Sequence, residues 1–329
     1  MHTAEPVVSL LCHICGNAAG NRTLTAREMM FGMRDAFEYI ECSACGCVQI
    51  AHVPADLGRY YPSDYYAYAA PHREGGVRRA LQRMRADHLL GWPNPAGWWM
   101  TKRYGVPPAI EYVRHARVKR SQSVLDIGCG SGELLLGMRS YGFKRLTGVD
   151  PFVAGDIDYG NGVRVWKRTI HQHNETHDFI MLHHTFEHMD EPQSVLTRVR
   201  ALLNPGGAVL IRLPVASGVA FATYGSDWVQ LDAPRHLFLH TPKSLALVAE
   251  RAGLAIVDTV FDSTAFQFWG SEQYRKDIPL RDPNSYRNGA PVFSASEIEE
   301  FERKAARLNA QGLGDQAAFY LRRSDEPQR

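Results

Sequence analysis

Short apolar runs alternate with amphipathic stretches between residues 121 and 261, and this alternation predicts the central fold. Val124-Leu125-Asp126-Ile127 reads as a buried strand, followed by a glycine-rich turn and a helix over 133–141 that Gly142 stops. Residues 146–150, 163–166 and 179–182 supply a second, third and fourth strand. A helix over 192–203 ends at Asn204-Pro205-Gly206-Gly207, and 208–213 is a fifth strand. Thr241-Pro242 opens a helix running to Gly253, ahead of a sixth strand over 255–260. Beyond it, Ser294 and Glu297 form the capping-box pair of another helix, and 317–321 reads as a last strand. Strand and helix alternating at this spacing predict an α/β fold, a parallel sheet with helices on both faces.

The flanks differ in texture. Residues 1–55 are turn-rich and carry paired cysteines, whereas 56–120 are rich in Tyr, Trp, Pro and Arg. The division predicted is a small metal-binding domain over 1–55, a helical linker or lid over 56–120, and the α/β domain with a C-terminal insertion over 121–329. With 45% apolar and 22% charged residues the chain can bury a core without staples, which excludes a disordered protein or a disulfide miniprotein. A net charge of +2 argues against a nucleic-acid scavenger. No run approaches the ~18 apolar residues of a membrane span. The N-terminus carries Glu5 and Pro6 and reads as no signal peptide, so a cytoplasmic location is expected. Oligomeric state is not legible.

Asp126-Ile127-Gly128-Cys129-Gly130-Ser131-Gly132 lies between the first strand and its helix, where glycines let a ligand approach the backbone and the unpaired N–H groups of a helix start. Asp150 closes the second strand, placed so that a carboxylate accepts both hydroxyls of a ribose. These motifs, with 178–188 containing Glu187-His188 and Leu203-Asn204-Pro205-Gly206-Gly207, resemble class I S-adenosylmethionine-dependent methyltransferases over about 121–260. The dinucleotide reading fits less well, since the glycines stand at 128, 130 and 132 rather than first, third and sixth. The resemblance implies a Rossmann-like seven-stranded sheet whose last strand, over 317–321, is antiparallel. It implies S-adenosylmethionine as cofactor, with Asp126, Gly128 and Gly130 at its methionine end beside Cys129, and Asp150 with Pro151 at its ribose. Thr169 or Ile170 would meet adenine, and His183 would border the cofactor. Cys129 is a packing residue in this pattern.

Cys12-x2-Cys15 and Cys42-x2-Cys45 are two knuckles, each followed by glycine, and four thiolates so spaced enclose one structural zinc. Cys47 and His13 are alternative ligands. A zinc ribbon ahead of a methyltransferase fold resembles two groups. One is the nucleotide-sugar and polysaccharide-pathway methyltransferases, and the other is a set of ribosomal-RNA methyltransferases. Tyr60-Tyr61-Pro62-Ser63-Asp64-Tyr65-Tyr66 and the stretch 228–239 with Pro234-Arg235-His236-Leu237 resemble the first.

His183, His184, Glu187 and His188 follow the fourth strand, at the sheet edge where ligands of such folds bind. A histidine there can take a proton from a hydroxyl, and His236 is the favoured base, with His184, His188 and Glu187 as alternatives and Tyr65 closing the site. Arg73, Arg78, Arg79, Arg83, Arg85, Arg114, Arg117, Lys119 and Arg120 concentrate positive charge before the α/β domain. The reading expects a solvated helical face there, or contact with a diphosphate, an anionic membrane or RNA. The expected activity is methylation of a hydroxyl or carbon of a sugar, nucleotide-linked or in a polysaccharide pathway. An RNA methyltransferase and a non-catalytic scaffold in glycan assembly are the alternatives.

Overall fold

The computed structural model describes residues 10–62 and 76–326. Three antiparallel strands open the chain, β1 (Arg22–Arg27), β2 (Ala36–Glu41) and β3 (Val48–Ile50). Three helices follow, α1 (Gly76–Leu89), α2 (Pro95–Tyr104) and α3 (Pro108–His115). The remainder alternates. β4 (Ser123–Ile127), α4 (Glu133–Ser140), β5 (Arg145–Val149), β6 (Ile157–Asp158), β7 (Val163–Trp166), β8 (His177–His183) and α5 (Pro192–Leu202) come first. Then come β9 (Leu203–Pro214), α6 (Val219–Tyr224), β10 (Phe238–Leu239), α7 (Pro242–Arg251) and β11 (Leu254–Phe261). The chain ends in α8 (Phe266–Arg275), α9 (Ala295–Ala310) and β12 (Gln316–Arg323).

The large sheet has the order β11-β12-β9-β8-β4-β5-β7-β6. Its centre is parallel, and β12 runs antiparallel to both β9 and β11. This is the implied seven-stranded arrangement with an eighth, two-residue strand, β6, antiparallel to β7. The alternation along β8 shows why both faces are covered. Phe179 and Met181 pack with Ile110, Val113, Leu135 and Met138 on one side. Ile180 and Leu182 pack with Val195, Leu196, Val199 and Leu245 on the other. Successive strand side chains point to opposite faces, so a continuous apolar run demands a layer of helices on each.

Local signals set the helix starts. Thr241 accepts the Ser244 amide at the start of α7, and Ser294 with Glu297 closes the capping box of α9. The N-terminal strands join the rest of the chain through β10, whose Phe238 and Leu239 pair with Gln49 and Val48. The long connection from β9 to α7 thus returns to the cysteine-bearing sheet immediately after His236.

Candidate functional site

Both parts of the site form where the parallel strands end. Gly128 leaves β4 with a φ of 71°, and a side chain there would put its Cβ 2.2 Å from Cγ2 of Thr185. Asp150, at the end of β5, accepts the Gly130 amide at 2.9 Å and the Phe152 amide at 2.8 Å. The two bonds fix its carboxylate against the glycine turn. Asp126 is buried at the end of β4, and burial together with the neighbouring Asp150 charge pushes its carboxyl up to about 8. Asp126, Gly128, Gly130 and Asp150 are thus brought together, with Pro151 next in the turn.

Thr169 lies beyond β7 and caps a one-turn helix over Ile170–Gln172, its amide donating to Gln172 Oε1 at 2.9 Å. Cys129 packs against the backbone of Gly148, where an added Cβ would lie 2.4 Å from its sulfur. Burial drives its thiol upward, which suits packing and not nucleophilic work.

The second part is a ring of histidines and carboxylates after β8. Glu187 is fully buried, and burial alone would raise its carboxyl. The hydrogen bond from His184 and the nearby His188 and His236 outweigh that and hold it at about 2. His236 donates from Nδ1 to the Gln230 carbonyl at 2.7 Å, a bond that leaves Nε2 as the acceptor nitrogen. That Nε2 stands 4.0 Å from Glu187 and 3.9 Å from Asp232. His188 donates its Nδ1 hydrogen to the Arg235 carbonyl at 2.9 Å, and the two imidazoles meet edge to face at 4.7 Å. Burial first, then His236, lowers the His188 pKa.

His184 adopts a left-handed backbone with a φ of 51° and donates Nδ1 to Glu187 at 3.3 Å, while its Nε2 meets the Arg212 guanidinium. Arg212 also pairs with Asp262 at 2.6 Å. His183 points elsewhere, its Nε2 3.4 Å from the Tyr112 hydroxyl, and burial followed by His184 and Arg212 depresses it to about 3. Tyr65 and Tyr66 lie outside the described residues, whereas Tyr61 reaches His188 Nδ1 at 3.3 Å. Glu187, His188 and His236 each offer a ligand atom within 4.8 Å of the others, so the trio could also seat a metal ion.

Sequence reasoning missed the support behind this ring. Arg235 is fully buried, pairing with Asp232 at 2.6 Å and with Glu28, from the N-terminal unit, at 2.9 Å. Glu28 in turn accepts amides of Met30, Phe31 and Met33. Arg235 stands inside a motif already singled out, but its partner sits in a loop that carries no pattern of its own.

The four cysteines converge. Sulfur separations of 3.6 Å for Cys12–Cys45 and 3.5 Å for Cys15–Cys42 approach the ~3.8 Å edge of a tetrahedron with zinc–sulfur bonds of about 2.3 Å. Gly46, with a φ of 73°, makes the turn that returns its amide to the Cys42 carbonyl at 2.9 Å. The donor set therefore fits a closed structural zinc site. Cys47 is buried, and among the described residues neither it nor His13 belongs to the group of converging ligand atoms.

Residues 98–259 match the family described as a methyltransferase domain. The ubiquinone biosynthesis O-methyltransferase of Bordetella avium is 30% identical over 168 residues, covering 45% of this chain and 68% of that protein. The Aeromonas salmonicida protein of the same name is 28% identical over 152 residues, covering 41% of this chain and 63% of its own length. Among solved structures, the Burkholderia thailandensis 1,6-didemethyltoxoflavin-N1-methyltransferase with bound S-adenosylhomocysteine is 17% identical. It aligns over 78% of this chain and 93% of its own with a TM-score of 0.39. The chain belongs to the class I S-adenosylmethionine-dependent methyltransferases.

Proposed function

We propose that this enzyme methylates a hydroxyl group of a small-molecule acceptor, with His236 as the base. The observation that carries this reading is the setting of His236: Nδ1 tied to a carbonyl, Nε2 lone pair available, and two carboxylates about 4 Å away. In this reading Nε2 takes the hydroxyl proton as the methyl moves. The cofactor, when bound, supplies an electrophilic methyl on a sulfonium. The chain's own task is to hold it, align the acceptor and accept one proton. Asp150 would hold the ribose hydroxyls, Asp126 and the glycine turn the methionine end, and Thr169 the adenine side. The four-cysteine cluster would hold a structural zinc that keeps β3, and through it β10 and the His236 segment, in register.

For the acceptor we favour a sugar, nucleotide-linked or of a polysaccharide pathway. The four-cysteine unit paired with Pro234-Arg235-His236-Leu237 supports that class. The relatives' names support a second reading, a hydroxyl on a ubiquinone precursor. Incubating the protein and S-adenosylmethionine with panels of both compound classes, and recording mass gain of one methyl, decides between them. Turnover of a nucleotide sugar alone supports the first reading, and turnover of the ubiquinone precursor alone replaces it.

A further inference from the structure

Of the twelve large apolar side chains exposed among the described residues, seven fall between positions 77 and 104: Val77, Leu81, Met84, Trp92, Trp98, Trp99 and Tyr104. Trp92, Trp98 and Trp99 are 74%, 50% and 58% exposed. In α1, Val77, Leu81 and Met84 recur at helical spacing and form one stripe, with the buried Ala86 on the opposite side. In α2, Trp98 and Trp99 stand one turn before Lys102 and Arg103, while Gly97 and Met100 face inward. Lys102 lies over the Trp98 ring at 4.8 Å. The two helices are tied to each other: Arg85 bonds the Tyr104 carbonyl at 2.8 Å and Asn94 caps α2 while holding the Met84 carbonyl.

Charge decides the occupant. Residues 76–104 contain six Arg and Lys and one acid, Asp87, which Arg83 and Arg120 already neutralise. A second copy of the same patch would meet it with like charge. Trp with Arg and Lys around an aliphatic stripe is the composition that seats a helix in the headgroup layer of an anionic bilayer. No described helix is long and apolar enough to cross a membrane, so the element would lie on the surface.

We propose that α1 and α2 form a docking surface for an anionic membrane, a role independent of the acceptor's identity. The test is co-sedimentation of the full chain with vesicles of phosphatidylcholine alone and of phosphatidylcholine mixed with phosphatidylglycerol. Expected is binding to the mixed vesicles, weakened by salt, with a blue shift of tryptophan emission. Trp98→Ala/Trp99→Ala and Lys102→Gln/Arg103→Gln should each weaken it about tenfold or more. Their exposure predicts unchanged thermal melting, which separates lost docking from lost folding. Equal binding to both vesicle types, binding to neither, or full binding by both variants would overturn the proposal. So would sedimentation velocity showing a dimer that Trp98→Ala/Trp99→Ala dissolves, or displacement from vesicles by RNA at equal charge.

Discussion

Arg235, in the loop that delivers His236, makes a fully buried ion pair at 2.9 Å with Glu28, in the loop after the first N-terminal strand. The candidate base and the cysteine-bearing unit are therefore parts of one packed structure. Replacing Arg235 by Met would leave Glu28 and Asp232 without their cation. A buried pair broken on one side costs about 3 to 5 kcal/mol. Denaturant unfolding of Arg235→Met should show that loss, and a change below about 1 kcal/mol would mean the pair is not a structural tie.

Loss of one cysteine should act at a distance. Cys42→Ser is expected to lower bound zinc from one equivalent towards none and to unfold the N-terminal strands, since metal affinity in such sites is folding free energy. Elemental analysis with circular dichroism checks both, and wild-type protein purified without tightly held zinc would refute the site.

Asp150 is held by two backbone amides, and the proposed function places its carboxylate at the cofactor ribose. Charge-assisted hydrogen bonds contribute roughly 1.5 to 3 kcal/mol each, so Asp150→Ala should weaken cofactor binding at least about tenfold. Titration calorimetry giving an unchanged dissociation constant would reject the ribose assignment.

Asp126 provides the pH test. Its carboxyl, raised to about 8 by burial and Asp150, is largely protonated at neutral pH in the free protein. The cationic methionine end of the cofactor favours the carboxylate, so binding should release a proton, and affinity should climb as pH rises towards 8. Calorimetric enthalpies should then vary with the buffer's ionisation enthalpy. Asp126→Asn should remove that dependence, and buffer-independent enthalpies in the wild type would contradict the placement.

The sheet was legible because its signals are local. Phe179 to Leu182 announces a strand buried on both faces, and Ser294 with Glu297 announces a helix start, whatever lies elsewhere. The glycine turn and the knuckles were legible for the same reason. What the chain hid are contacts between distant segments: Phe238-Leu239 pairing with Val48-Gln49, Glu28 under Arg235, and Tyr61 on His188. Two-residue strands have no period to read, and a single buried Glu in a loop resembles any surface Glu until its partner is placed. The left-handed His184 was invisible as well, since only the packed loop imposes that conformation. Asn204-Pro205-Gly206-Gly207 reads as a helix stop, yet β9 begins at Leu203 because that residue pairs with His177 across a register shift.

The most direct test of the central claim is single-turnover methyl transfer by His236→Gln with saturating cofactor and the acceptor found by mass screening. A positioned base contributes about 10²- to 10⁴-fold, so the account predicts a transfer rate lowered by at least about a hundredfold with cofactor affinity within about twofold of wild type. A variant that keeps more than about a tenth of the wild-type rate would contradict it and move the proton transfer to another group.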